Sequence, residues 1–195
     1  MTLQFKIQIH GIQKPPVWRR IIVPAQITFD HFHGIIQAAF GWENCHLYRF
    51  SQLAWRSEPI YKIPDEWDYY EVVDSRDVKL SDVFEHPKQK FTYLYDFGDD
   101  WIHDITLEEI TGEGEAVLTP ICTAGKGACP PEDCGGPWGY LSLLDILSDS
   151  KHPQHREMRR WLGLKKNEQW DVNAFDIAAV SERLKTIRLE AKKMV

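Results

Sequence analysis

The stretch YDFGDDWIHDI, residues 95–105, places four aspartates, one histidine and one tryptophan around a single glycine. Gly and Asp are the residues that tight hairpin turns favour, and the flanking segments have the composition of strands. The pattern predicts two antiparallel strands, residues 90–97 and 101–110, joined by a two-residue loop of Gly98 and Asp99. The same residue types also occur in catalytic metal sites, so the stretch has both a structural and a chemical interpretation.

The chemical interpretation depends on the register of this hairpin. With a two-residue loop, Asp96 faces Trp101 and becomes a diagonal neighbour of His103. A carboxylate at that distance orients an imidazole, as it does in a general acid or a metal-binding histidine. A three-residue loop would reverse the alternation and separate the two side chains. In the structural alternative, Asp99 and Asp100 accept turn amides and His103 is an ordinary buried histidine.

Two further strands are predicted near the N-terminus. Residues 3–10, LQFKIQIH, alternate strictly between apolar and polar, and residues 17–23, VWRRIIV, follow after a pair of prolines. We expect the two strands to pair antiparallel. On the second strand, Trp18 and Arg20 share one face and Arg19 points to the other. A buried Arg19 is expected to pair with an aspartate of the hairpin.

The helices are predicted from capping signals and apolar periodicity. Thr28 is expected to cap a helix over residues 29–40, and Gly41 to end it. Later helices are expected to begin near Pro137, to span residues 153–162, and to follow Asp171 or Asn173. Less regular segments are expected as a strand at residues 46–55, a loop with short strands at 57–80, a short helix at 81–85, a strand at 117–121 and a loop at 122–140.

These elements predict one α+β domain over residues 1–195, with an antiparallel or mixed sheet packed by a helix from the N-terminal third and by C-terminal helices. Residues 1–150 carry 12 Lys and Arg against 23 Asp and Glu, whereas residues 151–195 carry 11 against 6. The expected α+β part, residues 1–150, is therefore acidic, and the helical C-terminal part, residues 151–195, is basic. No segment is apolar enough for a membrane span, and we expect a cytoplasmic protein.

The cysteines and the Gly-rich loop offer weaker chemical signals. Cys122, Cys129 and Cys134 lack the C-x2-C spacing of zinc sites, yet with His103 they could bind zinc or another divalent metal. The alternative is small buried thiols. Glycines before a predicted helix can bind an anion through their amides. In PPEDCGGPWGY, residues 130–140, Glu132 and Asp133 oppose that use and are expected to cap the amides of their own loop, while the glycines allow close backbone packing.

Four blocks carry a resemblance to a known family. They are PPVWRRIIVPAQITFDHFHGIIQAAFGWENCHLYRF, YDFGDDWIHDITLEEI, PICTAGKGACPPEDCGGPWGY and WDVNAFDIAAV, which occur in order and span nearly the whole chain. Together they resemble the Ri-plasmid open-reading-frame-three family, a set of plasmid and insertion-element passenger proteins. The resemblance implies an α+β fold and assigns no catalytic role. Its motifs include His33, His46, Asp96 and Asp99, whereas Tyr48 stands where the family pattern has a histidine.

Three functions are compatible with these residues. The first is a non-enzymatic binding module that recognises a protein or a nucleic acid. Its candidate residues are Trp18, Arg19, His33, His46, Asp96, Asp99, Trp101, His103, Glu132 and Asp133. The second is a metal-dependent hydrolase or nuclease with Asp96, Asp99 and His103 around one divalent ion. The third is a DNA-associated regulator that uses the basic C-terminal part. The oligomeric state is not set by the sequence.

Overall fold

A mixed eight-stranded sheet is the centre of the protein in the computed structural model, which describes residues 1–112 and 119–187. The strands are β1 (Thr2–Gln13), β2 (Pro16–Pro24), β3 (Tyr48–Ser51), β4 (Ile60–Lys62), β5 (Val72–Asp74), β6 (Lys90–Tyr95), β7 (Trp101–Thr111) and β8 (Ile121–Lys126). Their order is β5-β4-β3-β6-β7-β1-β2-β8. Neighbouring strands run antiparallel except β4 and β5, which are parallel. The predicted α+β class and mixed sheet are confirmed.

The helices are α1 (Phe29–Phe40), α2 (Gly136–Ser148), α3 (His155–Trp161) and α4 (Ile177–Lys185), with short 3-10 helices at Ala54–Arg56 and Leu80–Asp82. The predicted caps of α1 are confirmed: the Thr28 side chain accepts the His31 amide, and Gly41 ends the helix with a φ of 92°. Among residues 1–112 and 119–187, no helix has both the length and the apolar content that a membrane crossing requires.

The core lies between the sheet and α1. The predicted antiparallel pairing of β1 and β2 is confirmed, and the alternating apolar residues of β1 are fully buried. Phe5 contacts both Phe32 of α1 and Phe84, with ring centroids 4.9 and 4.8 Å apart. Each such ring removes a large apolar area from water, which is the main favourable term in folding. At the end of α1, Phe40 contacts His103 and Trp42 contacts Tyr95, each pair with ring centroids 5.0 Å apart, so this end lies beside the β6–β7 hairpin.

The loop of the β6–β7 hairpin differs from the prediction. Tyr95 pairs with Trp101 and Tyr93 pairs with His103, so the loop comprises residues 96–100. The two-residue loop is wrong, and the alternation is that of an odd-numbered loop. The reason is local: Asp96 takes a left-handed conformation, with a φ of 57°, and its Oδ1 accepts the amides of the next turn. Consequently His103 faces the core.

The segment from residue 122 was expected as loop throughout, but its first part forms β8, which pairs with β2. Gly125 explains why a Gly-containing strand is stable here, because a Cβ at this position would lie 2.5 Å from the Phe175 ring. Of the expected strand at residues 117–121, positions 117 and 118 lie outside the described residues, 119 and 120 are not in a strand, and Ile121 begins β8. The expected strand at 46–55 is shortened to β3, since the chain turns where Ser51 Oγ donates to the Ala54 carbonyl.

The last helix begins later than predicted. Asp176 is its N-cap and accepts the amides of Ala178 and Ala179, so the proposed caps Asp171 and Asn173 are wrong. Asp171 instead closes a preceding turn by accepting the Asn173 amide. The buried face of α4 packs against α1 and β8, and this brings the helix beside the loop that connects β8 to α2.

Candidate metal centre

Three separate segments converge at the tip of the β6–β7 hairpin. The first is the segment before β3, which contains Cys45 and His46. The second is the hairpin loop with Asp96, whose amide donates to the Leu47 carbonyl at 3.0 Å. The third is the loop between β8 and α2, which contributes Glu132 and Asp133. The Trp42 indole holds this loop in place by donating to the Pro130 carbonyl at 3.0 Å.

The His46 ring is surrounded by carboxylates. Its Nε2 lies 3.1 Å from Asp133 Oδ1, 3.6 Å from Asp96 Oδ2 and 3.9 Å from Glu132 Oε2. We call these four residues the His46 cluster. Although the Nε2 atom is shielded from solvent, none of these contacts has hydrogen-bond geometry. A shielded polar atom without a partner is unusual, because leaving it unsatisfied costs about 1–3 kcal/mol.

Two of the carboxylates accept hydrogen bonds through one oxygen, which fixes their orientation and leaves the other oxygen facing His46. Asp96 Oδ1 accepts the amides of Gly98 and Asp99, at 2.9 and 3.3 Å, and its Oδ2 is directed at the ring. Glu132 Oε1 accepts the Glu43 amide and the Tyr95 hydroxyl, at 2.9 and 3.1 Å. Glu132 Oε2 is shielded from solvent and has no hydrogen-bond partner. These carboxylates are therefore fixed in place before any ligand arrives.

The donor atoms have the spacing of a metal site. One atom each from His46, Asp96 and Asp133 lie within 4.8 Å of one another, and so do atoms from Cys45, His46 and Glu132. In a tetrahedral zinc site with bonds of about 2.1 Å, neighbouring ligand atoms are roughly 3.4 Å apart. The distances from His46 Nε2 bracket that value. One imidazole nitrogen with several carboxylate oxygens suits zinc or manganese.

A backbone junction joins the hairpin loop to the loop before α2. Asp99 Oδ2 accepts the Gly135 amide at 3.0 Å. A Cβ at Gly136, whose φ is 67°, would overlap the Asp99 carbonyl oxygen. The expected close packing at these glycines is therefore present. An anion site on the Gly135 amide is wrong, because Asp99 occupies that donor, and Glu132 caps an amide of another segment rather than its own loop.

His33 lies in a separate buried network. Its Nε2 donates to Asn44 Oδ1 at 2.6 Å, and its Nδ1 accepts from the Tyr93 hydroxyl at 2.8 Å. That hydroxyl in turn accepts from Gln37 Nε2 at 2.8 Å. Burial lowers the pKa of His33 to about 4, so the ring is neutral at physiological pH. His33 is thus fully hydrogen bonded and is absent from the His46 cluster.

His103 and Trp101 are core residues, both fully buried. The His103 Nδ1 donates to the Trp101 carbonyl at 2.9 Å, and burial lowers the pKa of His103 to about 3. His103 Nε2 and Trp101 Nε1 are both shielded without a hydrogen-bond partner. Among the described residues, Asp96, Asp99 and His103 do not form a group of metal ligands, so the predicted trio for a hydrolase is not brought together.

Arg19 is buried as predicted, but its partners are different. Its guanidinium donates to the carbonyls of Trp18, Ala39, Lys126 and Gly127 at distances between 2.9 and 3.1 Å. The expected aspartate partner is therefore wrong: backbone carbonyls from β2, β8 and the end of α1 take its place. Trp18 lies on the other face of β2, where it contacts Arg20 and Lys6.

The three late cysteines do not form a site with one another. In the part of the chain that the structure describes, no group of three metal-ligand side chains contains two of Cys122, Cys129 and Cys134. Burial raises the pKa of all three thiols, in Cys134 to about 12, so each is a neutral thiol at physiological pH. Sequence reasoning missed Cys45, although its position directly before His46 was an available signal.

Comparisons with known proteins agree with this architecture. A family model described as plasmid pRiA4b ORF-3-like protein matches residues 1–179. The uncharacterised protein y4hQ of Sinorhizobium fredii (strain NBRC 101917 / NGR234) is 38% identical over 163 residues, which is 83% of this chain and 81% of that protein. A crystal structure of a protein of unknown function from Methanosarcina mazei Go1 is 36% identical, with a TM-score of 0.76 over 91% of this chain and 96% of that one.

Proposed function

The chain belongs to the plasmid pRiA4b ORF-3-like family, and within that family we propose that it is a binding module for a divalent metal ion. His46, Asp96, Glu132 and Asp133 would hold the ion. The observation that carries the proposal is the shielded Nε2 of His46, which has three carboxylate oxygens within 3.9 Å and no hydrogen bond. A divalent metal ion would satisfy this nitrogen and offset two of the three negative charges of the carboxylates.

The surroundings of the cluster favour a cation over a structural ion pair. Three carboxylates face one imidazole, which can carry at most one positive charge. No Lys or Arg is within ion-pair distance of these carboxylates among residues 1–112 and 119–187. Repulsion among the carboxylates costs free energy that a divalent ion would remove. Asp96 and Glu132 are already oriented, so little conformational entropy is lost on binding.

The site is open on one side, which suggests how the module acts. Asp133 is the most exposed ligand, with 71% of its side chain accessible. The four residues would fill a tetrahedral zinc site, whereas a six-coordinate manganese ion would retain positions for water or for a donor from a partner. We propose that a protein partner supplies this last donor. A nucleic-acid partner fits the described surface less well. Arg159 of α3 already donates to backbone carbonyls, and the carboxylates of the His46 cluster would repel phosphates.

The test is calorimetric titration of the purified, chelator-treated protein with zinc and with manganese. We expect one ion per chain, and at least a tenfold loss of affinity in His46→Ala. His86→Ala is the matched control, because His86 is exposed and lies outside the cluster; its affinity should stay within twofold of the wild type. Absence of stoichiometric binding, or equal affinity in His46→Ala, would exclude the proposal.

Metal-dependent hydrolysis is a second candidate, favoured by the same open position. A water molecule bound to the ion would have a lowered pKa and would act as a nucleophile. The ligands differ from the trio expected from the sequence, since His46 replaces His103. Hydrolysis of bis(p-nitrophenyl) phosphate in the presence of zinc or manganese, lost in His46→Ala and retained in His86→Ala, would support it. A protein that binds metal but leaves this ester intact is a binding module alone.

A further inference from the structure

A second feature of the molecule is a cavity of about 450 Å³ between the end of α1, the loop after β8 and the start of α4. Its volume is in the range of small-molecule sites in proteins. Large rings form much of its wall, and two guanidinium groups face it. The lining residues that matter here are Arg19, Phe40, Trp42, Trp170, Phe175 and Arg183.

Neither guanidinium is paired with a carboxylate. Across the described ranges 1–112 and 119–187, no acidic oxygen lies within ion-pair distance, 4.0 Å, of Arg19 or Arg183. Arg19 is 3% exposed and uses four of its five N–H groups on backbone carbonyls. Arg183 Nε donates to the Ala38 carbonyl at 2.7 Å, and its two terminal nitrogens have no hydrogen-bond acceptor within the described part of the chain.

The two guanidiniums of the cavity have no direct counter-ion among its other described polar groups. Burial lowers the pKa of Arg19, and the nearby positive charge of Arg183 lowers it further. The Cys129 thiol is no counter-ion, because burial raises its pKa. Three acidic residues also line the wall: Asp176 accepts the first amides of α4, Glu132 is part of the His46 cluster, and Glu43 is exposed to solvent. A buried cation without a counter-charge is costly, and an anionic ligand would remove that cost.

The rings define the rest of the ligand. The Arg19 guanidinium lies 5.1 Å from the centre of the Phe40 ring and 4.7 Å from that of Phe175. Cation–π contacts of this kind hold the guanidinium in place. Trp42 and Trp170 add flat apolar surface to the same cavity. Inorganic phosphate would fill only a small part of such a volume, whereas a planar aromatic group would contact these rings.

We propose that this cavity binds a small aromatic acid, with its carboxylate on the Arg183 fork beside Arg19 and its ring against Phe175 and Trp170. Arginine suits the role because its planar fork matches a carboxylate. The proposal goes beyond metal binding, because the arginines and rings that carry it lie outside the His46 cluster. Glu132 lines both sites, but its Oε1 is engaged by Glu43 and Tyr95.

The experiment is a titration with benzoate, followed by tryptophan fluorescence, since Trp42 and Trp170 line the cavity. Benzamide is the matched neutral probe, and inorganic phosphate is the anion without a ring. We expect benzoate to bind at least tenfold more tightly than either. Arg183→Gln should weaken benzoate binding at least tenfold, whereas Arg156→Gln, which changes an exposed arginine of α3, should leave it within twofold.

A second variant provides an independent test if Arg183→Gln fails to fold. Ala179→Phe fills the cavity from α4 and should abolish benzoate binding while keeping the circular dichroism spectrum of the wild type. Equal binding of benzoate and benzamide, equal binding of phosphate, or unchanged affinity in a folded Arg183→Gln would overturn the proposal. Treatment with a chelator should leave the affinity for benzoate unchanged. A loss of benzoate binding after this treatment would mean that a bound metal ion, and not the arginines, holds the anion. Failure of zinc binding would not affect this result.

Discussion

His33 and His46 lie close together in the sequence, yet their surroundings are opposite. His33 stacks on Tyr48 at 3.7 Å and has a hydrogen-bond partner for each ring nitrogen. His46 has carboxylates around its Nε2 but no hydrogen bond there. The first histidine completes a neutral network inside the fold. The second lies where three segments meet and has a donor atom that the protein itself leaves unsatisfied.

The difference teaches that the residue type alone does not identify a functional histidine. Both residues belong to the motifs that carry the family resemblance. What separates them is their surroundings: His33 is fully hydrogen bonded, whereas the unsatisfied nitrogen of His46 faces three carboxylates. The Nε2 of His103 is also unsatisfied, but that ring packs against Phe40 and Trp42 in the core. If this distinction is correct, changes at His33 should affect stability, whereas changes at His46 should affect binding.

The largest expected effect is the acid sensitivity that His33 confers. Its pKa is 6.5 in the unfolded chain and about 4 in the folded protein, so the unfolded state binds the proton more readily. Its contribution to stability is complete above pH 6.5 and is lost as the pH falls towards 4. The loss is roughly 3 kcal/mol, at about 1.4 kcal/mol per pKa unit. Urea unfolding of wild type and His33→Leu across this pH range measures it.

In His33→Leu, the fall in stability between pH 6.5 and pH 4 should be smaller than in the wild type by that amount. His103, with its pKa of about 3, contributes in the same direction and remains in the variant. An NMR titration of the wild type gives an independent reading, since the His33 ring should stay neutral down to about pH 4. If the unfolding free energies of the two proteins fall in parallel with pH, His33 is not a neutral buried histidine.

The next effect concerns Gly136, at the junction that assembles the His46 cluster. Gly136→Ala places a methyl group against the Asp99 carbonyl oxygen and forces a side chain into a left-handed conformation. We expect a loss of about 2 kcal/mol in unfolding free energy, by analogy with other strained substitutions, and weaker metal binding. Gly34→Ala is the control, because its Cβ meets no atom within 4 Å inside α1. That change should stabilise the helix by about 0.5–1 kcal/mol.

The smallest effect on stability is expected at His46 itself. Without metal, His46→Ala should change the unfolding free energy by less than about 1 kcal/mol, because the ring nitrogen makes no hydrogen bond that could be lost. With saturating zinc, the wild type should gain stability and the variant should not. A hundredfold excess of metal over its dissociation constant corresponds to about 2.7 kcal/mol. Thermal melts with and without zinc decide this; equal melting shifts in both proteins would place the ion elsewhere.

Much of the fold could be predicted from periodicity and capping. The alternation in β1 and β2 and the caps Thr28 and Gly41 are local signals, and the structure confirms them. The hairpin loop could not be predicted, because left-handed conformations at Asp96 and Asp100 accompany a five-residue loop whose odd length reverses the register. Strand β8 was also missed, since its pairing with β2 depends on tertiary contacts that a Gly-containing segment does not reveal.

The residues of the candidate site were predicted individually, but which of them lie together was not. The structure brings together four of the candidate residues, His46, Asp96, Glu132 and Asp133. The predicted register placed His103 beside Asp96, whereas in the structure His103 is buried in the core. Arg19 was assigned a carboxylate, whereas carbonyl groups from three segments satisfy it. Contacts that one side chain makes with several segments depend on long-range packing, and the spacing of residues along the sequence does not reveal them.

The residues of the His46 cluster are far apart along the chain, at positions 46, 96, 132 and 133. An ion held by all of them would therefore act as a reversible cross-link that closes two long loops of the polypeptide. Cross-links of this kind restrict the unfolded ensemble, and the restriction grows with the length of the loop closed. Metal supply would then set how slowly the chain unfolds and how long it resists proteolysis.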